Sequence, residues 1–291
     1  MNYTIKHRTW YAYSDPAPVC HNLLHLAPRD APRQSCQTHR LEITPSPASM
    51  SRRIDYFGNP IDYFSIEGSH TGLEVTSTST VEVAPLARTT ANNSPRWEDV
   101  VKMASAASAE RQLQTYQLTL PSSRITLSAE LGAYAAPSFP ANRPIVDAIS
   151  ELSARINADF AFDAKATTVH TPLPELLKLR RGVCQDFAHL ATGCLRSLGL
   201  PARYISGYLR TVPPLGKPRL VGADASHAWT SAWCGPLGWI DFDPTNNSPV
   251  SDSHVTIAWG RDYGDVCPIQ GVFVGGGDHS MGVSVDVIPE E

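Results

Sequence analysis

No Cys-x-x-Cys pair occurs among the six cysteines, Cys20, Cys36, Cys184, Cys194, Cys234 and Cys267, which are scattered along 291 residues. That spacing excludes a small disulfide scaffold, and five of the thiols read as reduced structural groups. Zinc motifs are missing too. The ten histidines include no pair four residues apart with the intervening glutamate of a zinc hydrolase, and the Cys/His spacings fit no zinc module. No metal or other cofactor is therefore expected. No apolar run reaches 18 residues, so no transmembrane helix is expected. The first residues, Met1 to Ser14, lack the basic-then-apolar order of a signal peptide and alternate like a strand, which places the protein in the cytoplasm by default. Charge is sparse and nearly balanced. A net charge of −4 and a pI near 6.2 leave no basic footprint for nucleic acid or anionic lipid. After Gly275-Gly276-Gly277 comes no Lys-Ser/Thr and no helical pattern, so the triplet is not a phosphate loop. A wide turn close to other backbone is the better reading.

What is present is an ordinary folded composition, 42% hydrophobic and 18% charged, in a chain long enough for two domains or one extended core. The most informative stretch runs from Arg181 to Ser197. Gly182 opens it as a turn residue, and Ala188, Leu190, Ala191, Cys194, Leu195 and Leu198 then recur at helical spacing. Gly199 and Pro201 supply the stop. Cys184 falls in the first turn, where unpaired backbone N–H groups and the positive end of the helix dipole favour a thiolate over a thiol. That is one of the few settings in which a cysteine becomes a nucleophile. A cysteine that merely packs can occupy the same position, since free Cys is among the most buried residue types.

Two downstream segments, 227–233 and 238–245, read as strands rich in Trp, Thr, Ile and Phe, with Cys234 to Gly238 as the turn between them. A hairpin centred on Gly235 places His227 opposite Asp243 and Trp229 opposite Asp241. Facing cross-strand residues have Cβ atoms about 4.5–5.5 Å apart, close enough for an imidazole–carboxylate hydrogen bond. A thiol at a helix start, with a histidine and a carboxylate on neighbouring strands, has the nucleophile, base and orienting group that thiol acyl transfer needs. Asp241 is the rival carboxylate in this pattern.

These residues resemble the transglutaminase-like superfamily of papain-type thiol enzymes. Its blocks are a Gly-x-Cys-x-Asp helix start, a His-x-Trp strand and a Trp-x-x-x-Asp-x-Thr strand end. They match Gly182-Val183-Cys184-Gln185-Asp186, His227-Ala228-Trp229, and Trp239 through Asp243-Pro244-Thr245, in the family's order. The resemblance implies Cys184 as nucleophile, His227 as general base and acid, and Asp243 as orienting group. It also implies an α+β fold, with an N-terminal antiparallel β module ahead of a papain-like core of helices packed on an antiparallel sheet. The backbone N–H of Cys184 is the first oxyanion donor expected. Eukaryotic members add a tryptophan from well before the cysteine; no Trp lies between Trp97 and Trp229 here, so the second donor is unassigned.

The remaining chain divides by pattern. Residues 1–86 alternate throughout, with turn residues at short intervals and a hairpin signal in Phe57-Gly58-Asn59-Pro60, and read as a β-sandwich-like module. Residues 87–140 read as a linker with short helices, and 141–291 as the catalytic core, whose last strands are expected to finish the core sheet. Ile145, Val146, Ile149, Leu152 and Ile156 form one stripe of an amphipathic helix. Lys178, Arg180 and Arg181 are a solvated helix end or, alternatively, a charge that assists the thiolate. His189 reads as a core histidine, and Asp186 as structural. The Pro/Gly-rich stretch 212–226 is where a substrate-contacting flap would lie, and Trp229 and Asp241 are further cleft candidates. The expected activity is cleavage of an amide or peptide bond in a peptide or protein substrate through a thioester, with transfer to an amine, or a non-catalytic scaffold on the same fold, as the alternatives.

Overall fold

The computed structural model describes residues 1–85, 94–106, 110–211 and 225–290. Its first sheet is built on two long antiparallel strands, β1 (Asn2–Leu24) and, after β2 (Gln34–Thr44) and β3 (Ser49–Ile54), β4 (Pro60–Val83). Both β2 and β3 pair with β4. Bulges between Ala12 and Val19 bend the sheet. Leu73 and Val75 from one half then share a buried cluster with Cys20, Leu24, Phe64 and Ile66 from the other. Where a sandwich-like module is expected, these four strands belong to one six-stranded sheet.

The stretch read as a linker contributes to the core. Helices α1 (Trp97–Ser105), α2 (Glu110–Tyr116) and α3 (Ala129–Ala135) precede α4 (Ile145–Asp159). Val100, Leu131 and Ala135 are buried in one cluster with Ile149, Leu152 and Ile156, the predicted stripe of α4. A two-residue strand β5 (Ala161–Phe162) pairs in parallel with β6 (Arg181–Gly182) on either side of α5 (Leu173–Leu179). Next comes α6 (Cys184–Ser197), which begins at Cys184 and ends before Gly199, as its stop signal predicts. It is the central helix: every residue from Asp186 to Arg196 is buried. Arg196 is tolerated inside because its guanidinium donates to the carbonyls of Ala202 (2.8 and 3.0 Å), Leu120 (3.2 Å) and Arg261 (2.7 Å).

The second sheet has five strands in the order β10-β9-β8-β7-β11. They are β7 (Ala202–Leu209), β8 (Ala225–Trp233), β9 (Trp239–Asp243), β10 (Ser248–Pro249) and β11 (His254–Gly260). Helix α6 lies on this sheet, with Thr192 hydrogen-bonded to Thr230 at 2.7 Å. A short α7 (Tyr263–Val266) then leads to β12 (Ile269–Val274) and β13 (His279–Pro289).

These last two strands correct the expectation that they finish the core sheet. They pair instead with β1, β13 along Tyr3 to Tyr13 and β12 along Val19 to Leu24. Alternation at period two fits either sheet, and pairing partners decide. The long β1 has a free side beyond β4, whereas the outer side of β11 is already occupied by side chains of the first sheet. The Gly275-Gly276-Gly277 turn joins β12 to β13 against the backbone of Asp15 and Pro16. Tyr3 and Ile5 of β1 and Val285 and Val287 of β13 are buried with Tyr204, Tyr208 and Ala188 of the core, so the two sheets share a hydrophobic boundary beside Cys184.

Candidate active site

Cys184 is the first residue of α6 and is half-buried. The helix start is held by Asp186. Its Oδ2 accepts from the Val183 N–H at 2.8 Å and from the Thr167 hydroxyl at 2.6 Å, satisfying an N–H that the helix cannot. Burial pushes the Asp186 carboxyl up against the pull of those two donors. Asp186 is therefore a capping residue, as its structural reading implies. The basic trio is exposed, with Arg180 paired to Asp159 at 3.6 Å and Arg181 to Asp163 at 4.0 Å. His189 is a core histidine, accepting the Tyr263 N–H at 3.0 Å and lying 4.8 Å from the Tyr204 ring.

The hairpin that carries His227 and Asp243 has a different centre from the predicted one. Observed pairs are Thr230 with Phe242, Ser231 with Asp241 and Trp233 with Trp239, so the loop is centred on Pro236. Gly235 and Gly238, with φ of 65° and 72°, allow the five-residue turn that sets this register. Moving the register by two residues leaves each side chain on its face, because alternation has the same period. His227 and Asp243 are therefore diagonal neighbours instead of directly opposed, and their side chains still meet, Nε2 to Oδ2, at 2.8 Å. Asp241 faces Ser231 and accepts from the indole N–H of Trp229 at 3.3 Å.

Cys184 is a close enough neighbour of the His227 ring to act on its charge. Burial alone would lower the imidazole pKa, but its bonds to Asp243 and to Cys184 outweigh that and raise it to about 9. Asp243 shows the converse. Burial opposes its ionisation, yet donors led by His227 and His254 hold the carboxyl well below the usual carboxylate range. Oδ2 receives His227 (2.8 Å), His254 (3.2 Å) and the Asn246 amide (2.7 Å), and Oδ1 receives the backbone N–H groups of Thr245 (3.0 Å) and Asn246 (3.2 Å). An imidazole fixed in this way, facing a thiol, can take a proton from sulfur and return it to another atom.

Three residues here were not found in the sequence. Asn246 sits in the Asp-Pro-Thr-Asn turn, where Asx residues commonly bond locally, so turn chemistry could have flagged it. His254 opens β11 and carries no signal linking it to Asp243. Gly207 pairs with His227 across β7 and β8, and a side chain there would collide with the Trp229 ring and the Val255 carbonyl. The gap it leaves explains why Trp229 has no exposed surface and is not a cleft residue, contrary to expectation. Gly207→Ala is expected to destabilise the fold by about 3 kcal/mol, the upper end of overpacking costs, because one clashing atom is backbone. Urea unfolding at an unchanged slope is the check. Of the expected flap, 212–226, residues 212–224 lie outside the described residues, and Ala225 and Ser226 open β8.

Comparison with known proteins agrees with this fold. Residues 3–82 match the bacterial transglutaminase-like N-terminal region, and residues 134–244 match the transglutaminase-like superfamily. An uncharacterized protein of Mycobacterium tuberculosis is 41% identical over 99% of this chain and 93% of its own length. One from Mycobacterium leprae is 34% identical over 97% of each. A solved structure of a candidate cysteine protease from Cytophaga hutchinsonii shares the fold, with a TM-score of 0.76 and 21% identity over 100% of this chain and 92% of that one. With its antiparallel N-terminal strands, its papain-like core and these matches along nearly the whole length, the chain belongs to the transglutaminase-like superfamily.

Proposed function

We propose that this protein is a thiol hydrolase that opens an amide or peptide bond through a thioester on Cys184. The observation that carries this reading is the buried His227–Asp243 pair, joined at 2.8 Å, with the half-buried Cys184 at the start of α6 acting on the same imidazole. His227 takes the thiol proton and sulfur attacks the carbonyl carbon. The oxyanion is met by the backbone N–H of Cys184 at the helix start. Collapse breaks the C–N bond, and His227 gives its proton to the leaving amine. In the second half His227 takes a proton from water, the hydroxide adds to the thioester, and the acid leaves as sulfur is released. Asp243 holds the ring in the orientation both halves need, with Nε2 on the carboxylate and Nδ1 left for sulfur. Water is the proposed acceptor because it requires no site of its own.

The test is partition of a trapped acyl-enzyme between water and an added alkyl amine. A carboxylic acid as the main product is expected; a dominant amide would reassign the protein as an acyltransferase. Labelling with iodoacetamide at pH 6.5 separates both from a non-catalytic scaffold, since one equivalent on Cys184 is expected. Cys194 and Cys234 are buried, with their thiols pushed up, Cys234 to about 12.

A further inference from the structure

We propose that His254 is a positioning residue for the His227–Asp243 pair, and that the N-terminal sheet takes part in the reaction by clamping the strand that carries it. This rests on Cys184 and His227 acting as nucleophile and base. Of the donors on Asp243, the N–H of Thr245 and both groups of Asn246 belong to the same turn as the carboxylate and move with it. His227 is the group being oriented. His254 is the tie from a separate strand. Its tautomer is set by the Ser251 N–H, which donates to Nδ1 at 3.2 Å, so the neutral ring carries its proton on Nε2, 3.2 Å from Asp243 Oδ2. The ring stands edge-on to buried Trp229 at 5.3 Å. The candidate ligand atoms of His227, Asp243 and His254 lie within 4.8 Å of one another, a spacing that a metal ion could bridge. The Nε2 proton of His254 takes that place instead.

The strand behind His254 is the edge of its sheet, and its outer side is completed by amide side chains. Gln34 accepts the Thr256 N–H at 2.8 Å and donates to the Thr256 carbonyl at 2.7 Å. Asn59 does the same to Trp259, at 3.0 and 2.9 Å. A bulge between Thr256 and Ala258 lets both residues present their backbone outward. Each amide supplies one donor and one acceptor, as a neighbouring strand would, and a carboxylate could not. Both clamps are buried, and Asn59 is itself held by Asp55. The Arg29 guanidinium lies 3.0 Å over the Trp259 ring and seals the same edge. Gln34 opens β2 and Asn59 lies in the turn before β4, so the first sheet fixes β11 two residues from His254.

The experiment measures iodoacetamide alkylation of Cys184 by peptide mass spectrometry, as the ratio of rates at pH 6.5 and pH 10. The titratable groups the structure brings to His227 are Asp243 from β9, Cys184 from α6 and His254 from β11. Loss of one charge-assisted hydrogen bond is expected to lower the ratio about 10-fold in His254→Phe. The pH 10 rate should stay unchanged, a pattern that general loosening would not give. His254→Gln keeps an N–H donor and should recover to within about 3-fold, whereas His254→Asn, too short to reach, should behave like Phe. Gln34→Met is expected to lower the ratio by a factor of about 3, and to add nothing in the His254→Phe background. A His254→Phe profile superimposable on wild type would overturn the positioning role. Additive loss in the double variant would overturn the clamp. Failure of wild-type Cys184 to label selectively at pH 6.5 would overturn the thiol-enzyme reading itself, and this proposal with it.

Discussion

Cys184→Ala is expected to lower amide turnover by at least about 10⁴-fold while leaving the fold intact. Removing the nucleophile from a triad leaves only what binding and the oxyanion donor supply. Four of the other five thiols are unsuited to replace it. Cys194 and Cys234 are fully buried, and burial pushes both thiols up. Cys20 and Cys36 belong to the first sheet, where burial raises them as well. Stability should change little, because Cys184 is only half-buried and alanine is the strongest helix former. The measurement is kcat/KM on whichever amide the wild type cleaves, beside a urea midpoint. Full turnover by a folded alanine variant would end the thioester mechanism.

The second large effect is expected from Asp243→Asn, on activity and stability together. An amide N–H facing His227 Nε2 would turn that nitrogen into an acceptor and place the ring proton on Nδ1, toward sulfur, where no proton can then be taken. The corresponding change in a serine triad costs on the order of 10⁴ in kcat. A thiol needs less help from its base, so about 10²–10³ is expected here. Five donors converge on the native carboxylate. An asparagine accepts through one oxygen only, which leaves at least one buried donor unmatched at about 1–3 kcal/mol.

The pH dependence of that stability loss has a definite sign. The His227 pKa is raised in the fold from 6.5 to about 9, so its contribution is full below pH 6.5 and fades as pH rises through about 9. The Asp243 pKa is depressed from 3.8, so its contribution is present above pH 3.8 and fades as pH falls toward the folded value. Wild type and Asp243→Asn should therefore differ most between about pH 4 and 6.5, and least above pH 9. Urea titrations at pH 5, 7 and 10 test this. A gap that widened from pH 5 to pH 10 would reject the ion-pair account.

His227 and Asp243 meet across a hairpin whose register differs from the one its turn residues predict. The turn signal predicts a centre one residue early, which shifts the register by two, and an even shift keeps the face. A one-residue register error would have separated them. Trp229 departs from its expected place for a different reason. A tryptophan two residues from a candidate catalytic histidine suggests a cleft wall, but the missing side chain at Gly207 on the next strand lets the indole sink into the sheet. No reading along one strand reports space on another.

The chain's own order of residues determined the start and end of α6, the thiol at its first turn, the two strands that bring imidazole and carboxylate near each other, and the β character of the N-terminal third. Those are local matters, governed by turn residues, caps and alternation over a few positions. Only the tertiary structure decided that β12 and β13 return to β1, that His254 reaches Asp243 from 11 residues further along the chain, and that Gln34 and Asn59 close the edge of a sheet about 200 residues away. Such contacts depend on which unpaired edges and donors remain once the larger elements have packed. Many distant residues of the same type could satisfy them equally well, so the choice is made by geometry in the assembled fold.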